Sequence, residues 1–516
     1  MNKLFKIFIY SILSVFIVYL SAASSRFLFL RYDRGYTTIE LRDTLLPSRW
    51  RVANNKVGQA LIKNAVVLFN HGDITESART LRIGLAKAPS DRDGLLLLTR
   101  LHVGTRRPDL AEKALLSGFR FHRHDVAYVR TCFSFLFSNH EDQRALSLAD
   151  ELLQQTANSD ALSQIAALAA ATACYYRGNY DQAENHLAGH QLLSIREGRL
   201  LGAKIEWERG YRALSQHQLR SLLQDFPEDE EIYGQLVDYL QSDSLYTEAR
   251  QQTLVFQLAR PDAVRPRLEL LHDLLRKGDA ATLNKESATL LHYFSHDSQA
   301  LIALADFAAN TGNSDLARQV LPYLKTPGYP HETGVLLAME AMIVARDYQG
   351  ALDLAQELAS QSPAPALYFL NISNGLQAIA HYGLHDPVSG LLTLNRFMAG
   401  SNLRTSNLLA VANRLEAVDA HQAAHATLTR AVAIDPQNQA ALTHLIELDI
   451  ATGNTDTLPG NLHRLLSTRK PSPEILARAQ KLLGRDQFLF NRERSSTLEA
   501  IGTFLAQDHP RTVPTL

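Results

Sequence analysis

The chain has 516 residues, 46% of them hydrophobic and 20% charged, which is the composition of a folded protein. Its formal net charge of −1 excludes a surface built as a whole for nucleic acid. Its two cysteines, Cys132 and Cys174, form no CxxC pair, which excludes zinc ribbons and thioredoxin-like redox motifs.

The charge is uneven along the chain. Residues 1–34 hold Lys3, Lys6, Arg26, Arg31 and Arg34 against Asp33, a net of +4 that leaves −5 for the rest. Between Lys6 and Arg26, the run Ile7–Ala23 has 17 residues and no charge, the lower edge of what crosses a bilayer. Ser21 and Ala23 also suit a secretory cleavage site after a basic start and an apolar middle. A retained anchor is the preferred reading, with Phe27–Leu30 at the membrane interface. Basic residues stand at both ends, so the positive-inside rule leaves the orientation open. A short N-terminal tail favours export of the body, which is the periplasmic side if the membrane is a bacterial inner membrane. Residues 35–58, with Pro47 and Trp50, read as a linking or capping region.

From about Leu61 to Leu466 a residue that is mostly small recurs: Ser77, Ala111, Ala145, Ala183, Ser215, Ala249, Leu283, Ala317, Ala351, Val388, Ala424 and Leu458. The steps are 34, 34, 38, 32, 34, 34, 34, 34, 37, 36 and 34 residues. A small residue in a second helix lets it approach the first, and residues four and seven further on extend one apolar stripe. Dipeptides such as Gly72-Asp73, Gly178-Asn179, Gly278-Asp279, Gly312-Asn313, Arg346-Asp347 and Gly453-Asn454 stand where the turn between helices falls. Pro89, Pro227, Pro261, Pro363 and Pro436 stand where each second helix must stop.

These residues resemble the tetratricopeptide repeat family, whose unit is a 34-residue helix–turn–helix. In RDYQGALDLAQELASQSP, Tyr348, Ala351, Ala355, Leu358 and Pro363 match unit places 17, 20, 24, 27 and 32. In GNYDQAENHL, Gly178, Tyr180, Ala183 and Leu187 match places 15, 17, 20 and 24; Ala424, Leu428, Ala431 and Pro436 match places 20, 24, 27 and 32. Place 8 is large at Phe133, Leu271, Met339 and Leu376, and no unit has the family's Trp at place 4. The resemblance implies an all-α solenoid, a right-handed superhelix of about twelve helix pairs over residues 59–471. Two helices in residues 472–516 (SPEILARAQKLLG and RSSTLEAIGTFLAQ) would cap it.

No phosphate-binding loop, nucleophile elbow, HExxH or EF-hand loop is present, so no cofactor, metal ligand or catalytic residue is assigned. His122-Arg123-His124-Asp125 is the tightest histidine cluster and reads as an inter-repeat loop; with Arg106, Arg107 and Arg130 it makes a local basic patch. In the family, first-helix places 2, 5, 9 and 12 line the concave groove. Place 9 reads Val66, Arg100, Ser134, Thr172, Lys204, Asp238, His272, Asp306, Glu340, Gln377, Asn413 and Glu447. The row is polar after Val66 and turns from basic to acidic near Asp238, while place 12 adds Phe69, Phe137, Tyr175 and Trp207. The expected contact residues are Arg100, Arg130, Tyr175, Lys204, Trp207, Asp238, Asp306 and Glu340. The resemblance implies a membrane-tethered scaffold that holds protein or peptide partners, like repeat proteins of envelope assembly, secretion or polysaccharide export. A protein that stacks a carbohydrate polymer on the aromatic row is the alternative.

Overall fold

In a computed structural model, residues 2–105, 107–155, 161–361, 365–400, 403–436, 438–467, 472–485 and 492–507 are described. Among them every regular element is a helix. Arg106, Pro363 and Pro471 lie outside the described residues. The helix Asn2–Leu28 opens the chain, and Tyr10–Asp33 is the one described stretch long and apolar enough to cross a membrane. A short helix, Leu41–Leu45, leads into twelve helix pairs, the first Trp50–Asn70 with Ile74–Lys87 and the twelfth Gln439–Thr452 with Leu458–Ser467. A last pair, Pro473–Arg485 and Arg492–Gln507, follows at the sites expected for the two C-terminal helices.

The chain forms two compact bodies. One holds Met1–Cys174 with Asp181–Leu192, the other Tyr175–Tyr180 with Leu193–Leu516. In each, successive helices pack on their neighbours in the chain, which is the solenoid arrangement. Cys132 and Cys174 are buried and form no disulfide, and burial pushes the Cys132 thiol up to about 12.

Local chemistry explains the pairs. Eleven of the twelve recurring residues are at most 6% exposed. The two serines keep their hydroxyls satisfied there: Ser77 donates to the Ala65 carbonyl and Ser215 to the Ala203 carbonyl, each at 2.7 Å, across the pair. Five residues before that place, the chain turns through a positive φ. Gly72, His140, Gly178, Gly210, Ser244, Gly278, Gly312, Arg346, His385, Asp419 and Gly453 all have φ between 60° and 88°. Five first helices begin on an acidic or amide cap that accepts from their first-turn amides: Asp91, Asp125, Asp229, Asp297 and Asn438.

The tenth repeat corrects the sequence register. Val388 is 78% exposed, and the buried small residue is Gly390, the fourth past the cap Asp386. The true steps are 39 residues from Ala351 and 34 to Ala424. The excess lies in the connection between the helices Tyr348–Ala359 and Leu367–Gly383 and in the latter's extra length. Two consequences follow for the first helix of this repeat. Place 8 is Ala378, not Leu376, so it is small and fully buried. Place 9 is Ile379, also fully buried, rather than the polar Gln377, so the polar row is interrupted here.

Candidate functional site

The place-9 residues of the first helices stand one position after the buried place 8. That single step turns the side chain through about 100°, off the seam between paired helices. Arg100, Ser134, Asp238, His272, Asp306 and Asn413 are exposed, whereas Thr172, Lys204, Glu340 and Glu447 are half-buried. The row is therefore wetted in both bodies, apart from Ile379 and the half-buried Val66.

In the first body Arg100 and Arg130 are exposed, and no ion pair meets either among the described residues. The histidine cluster near Arg130 has structural partners. His122 Nε2 lies 2.7 Å from the Ser90 carbonyl, and Asp125 caps the next helix and pairs with Arg92 at 2.9 Å. Among the described residues no group of three His, Cys, Asp or Glu side chains could hold a metal ion.

In the second body three charges of the row, Lys204, Asp238 and Glu340, have partners of opposite charge. Lys204 Nζ lies 3.6 Å from Glu231, and Asp238 lies 3.3 Å from Arg265 Nη2. Both partners stand 27 residues on, at place 2 of the following repeat, so each ion pair joins two first helices. Asp306 accepts a 3.1 Å hydrogen bond from Asn310 on its own helix. Arg414 donates to Glu340 Oε1 through Nε at 3.1 Å and Nη2 at 2.9 Å. This pair joins the ninth repeat to the eleventh, 74 residues apart, over the tenth, where the place-9 residue is the buried Ile379.

The aromatic row is equally occupied. Trp207 stacks on Tyr239 with ring centroids 3.8 Å apart and planes 5° from parallel, and the Arg212 guanidinium lies 5.1 Å from the Trp207 ring. Tyr175 sits between Tyr176 and Tyr180 and donates to Glu208 at 3.5 Å. Burial, then the Glu208 charge, raise the Tyr175 hydroxyl pKa above its ordinary value.

A cavity of about 280 Å³ lies beside the row, lined by Gln241, Tyr246, Glu269, His272, Asp273 and Arg276 among others. Asp273 is 8% exposed, yet Lys277 at 2.6 Å, Arg250 at 3.5 Å and Arg276 surround it. Burial raises its carboxyl pKa, but Lys277 and Arg276 outweigh that and hold it below the usual range. Sequence reading had not singled out Glu231, Arg265, Arg414 or the cavity. A signal for the first two exists, since opposite charges recur between place 9 and the next place 2. Arg414 carries no such signal, because its partner is two repeats away.

No protein-family model and no curated protein matches the chain. Among solved structures it is similar to a complex of Naa15 and Naa10 bound to HypK-THB, at 13% identity over 95% of this chain and 76% of that one, with a TM-score of 0.29. It is similar to a tetratricopeptide repeat protein from Parabacteroides merdae, at 12% identity over 49% of this chain and 98% of that one, TM-score 0.29. It is also similar to the Cut9–Hcn1 hetero-tetramer of the APC/C, at 11% identity over 87% of this chain and 96% of that one, TM-score 0.28. The fold itself stands on the chain's own helix pairs.

Proposed function

We propose that this protein is a membrane-tethered scaffold. Its N-terminal helix holds it at a bilayer, and the first-helix face of its second body takes a protein or peptide segment. The observation that carries the reading is the wetted place-9 row beside a fully buried place 8, repeated along successive helices. Charged groups at such a face set specificity and encounter rate more than affinity. We assign the body to the exported side and the pathway to envelope assembly, secretion or polysaccharide export. Protein rather than carbohydrate is the preferred ligand, because a sugar would have to displace Tyr239 or Arg212 from the Trp207 ring.

Asp306 is the best probe, since its hydrogen-bond partner Asn310 is a neutral side chain on its own helix. A photo-crosslinking residue at position 272, the exposed place 9 of the preceding repeat, should capture one protein in cells. The same group at position 258, where Leu258 is 83% exposed on a second helix, should not. Asp306→Lys should weaken that capture about tenfold, roughly 1.4 kcal/mol, with the circular dichroism spectrum unchanged. Equal crosslinking from both positions, or capture indifferent to the charge reversal, would remove the groove from consideration.

A further inference from the structure

The N-terminal helix is not a free rod. Tyr10–Val18 is exposed throughout, but from Tyr19 onward the helix packs on the body. Tyr19 donates its hydroxyl to the Leu45 carbonyl, Ala23 is 7% exposed, and Arg26 Nη2 reaches Asn54 Oδ1 at 3.2 Å. The apolar run that precedes Tyr19, Ile7–Val18, has 12 residues and so covers about 18 Å, against about 30 Å of hydrocarbon in a bilayer. A crossing is completed only by the stretch beyond Tyr19, and that stretch carries Leu41–Leu45 and the start of Trp50–Asn70 alongside it. Tyr19 lies about 10 Å along the axis from Arg26. With Arg26 at the headgroups, Leu45 and Leu46 stand below them.

The side chains and backbone of this segment suit that depth. Leu41, Leu46, Trp50 and Val52 are 39–44% exposed, four large apolar side chains within twelve residues. The irregular backbone is satisfied within the protein, as it must be where water is scarce. The Trp50 indole donates to the Thr44 carbonyl at 2.9 Å, Tyr19 serves the Leu45 carbonyl, and Leu46 uses both its amide and its carbonyl, with Arg42 and Arg49. The one fully buried acid, Asp43, is held by Lys56 at 2.7 Å and Arg49 at 3.4 Å. Residues 26–56 carry seven Lys and Arg against three Asp and Glu, and Arg26, Arg34 and Arg51 are exposed.

We infer that residues 41–52 form an interfacial foot on the headgroup layer of an anionic bilayer. The leucine edge and Trp50 enter the upper acyl region, and the arginines meet lipid phosphates. The inference rests on the anchor reading above, and makes the body's first elements part of the membrane contact.

Trp50 and Trp207 are the two tryptophans, so the difference in emission between the full chain and Trp50→Phe reports Trp50. The protein would be reconstituted in vesicles of phosphatidylcholine, with or without phosphatidylglycerol, brominated near the headgroup or near the chain end. The expected result is loss of about half of the Trp50 emission with the shallow bromines, more with phosphatidylglycerol, and little with the deep ones. A Trp50 signal untouched by brominated lipid and quenched by aqueous iodide, in protein that floats with the vesicles, overturns the foot and leaves the anchor. Protein that does not float at all overturns both.

Discussion

The second helix of each repeat comes so close to the first that its fourth residue past the cap tolerates only a small or well-seated side chain. At Gly390 an added Cβ would lie 2.9 Å from the Tyr382 ring. Gly390→Val should therefore cost about 1–3 kcal/mol by overpacking. Val388→Ala, two residues away on the exposed side, should stay within about 0.5 kcal/mol. Chemical denaturation of the two variants checks the register directly, and the reverse order of effects would restore Val388 to the seam. The turn five residues earlier gives the same register, because His385 at φ 61° occupies the place of the turn glycines. A histidine there carries no compositional signal, so this repeat looked irregular in sequence although its geometry is regular.

Between elements, one device recurs. Arg92, the first residue of its helix, pairs through Nε with Oδ2 of Asp125, the cap of the next first helix, at 2.9 Å. Arg196 does the same to Asp229 at 2.7 Å, with a second contact from Nη2 to Oδ1 at 2.9 Å. Asp229 meanwhile accepts from the amides of Glu231 and Ile232, so one carboxylate ends a helix and joins two repeats. Asp229→Ala should cost about 2 kcal/mol, the cap and the charge-assisted bonds together. The hydrogen bond from Arg196 outweighs burial and holds the Asp229 carboxyl below its ordinary pKa. A depressed acid stabilises the fold above its unfolded pKa, about 3.9, and that stabilisation is lost as pH falls through the lower folded value. The gap between wild type and Asp229→Ala should thus be full at neutral pH and shrink in acid. A gap that widens in acid would show that Asp229 is not charged in the folded repeat.

At the scale of the molecule, the N-terminal helix divides into an exposed stretch, Tyr10–Val18, and a stretch from Tyr19 that belongs to the fold. Deleting residues 2–18 should leave the melting midpoint and the helical dichroism of the body in place while abolishing vesicle flotation. A midpoint lowered by several degrees would mean that those residues pack on the body after all. The helix pairs, the turns and the membrane-length helix were legible in the sequence because each is set within one window by periodicity, turn chemistry and length. Ala183, Ala317 and Ala424 sit buried where the period put them. The charge order along place 9 was legible too, but not what those charges do. Lys204 is met by Glu231, Asp238 by Arg265 and Glu340 by Arg414, and such pairings depend on how neighbouring repeats stack. Outside the tenth repeat, the sequence by itself determined the repeat, its length and which residues face the seam, since these follow from local backbone geometry. Only the tertiary structure decided the tenth register, the pairing of Lys204, Asp238 and Glu340, and the packing of Tyr19–Leu28 on the first helices, since each depends on contacts between residues distant in the chain.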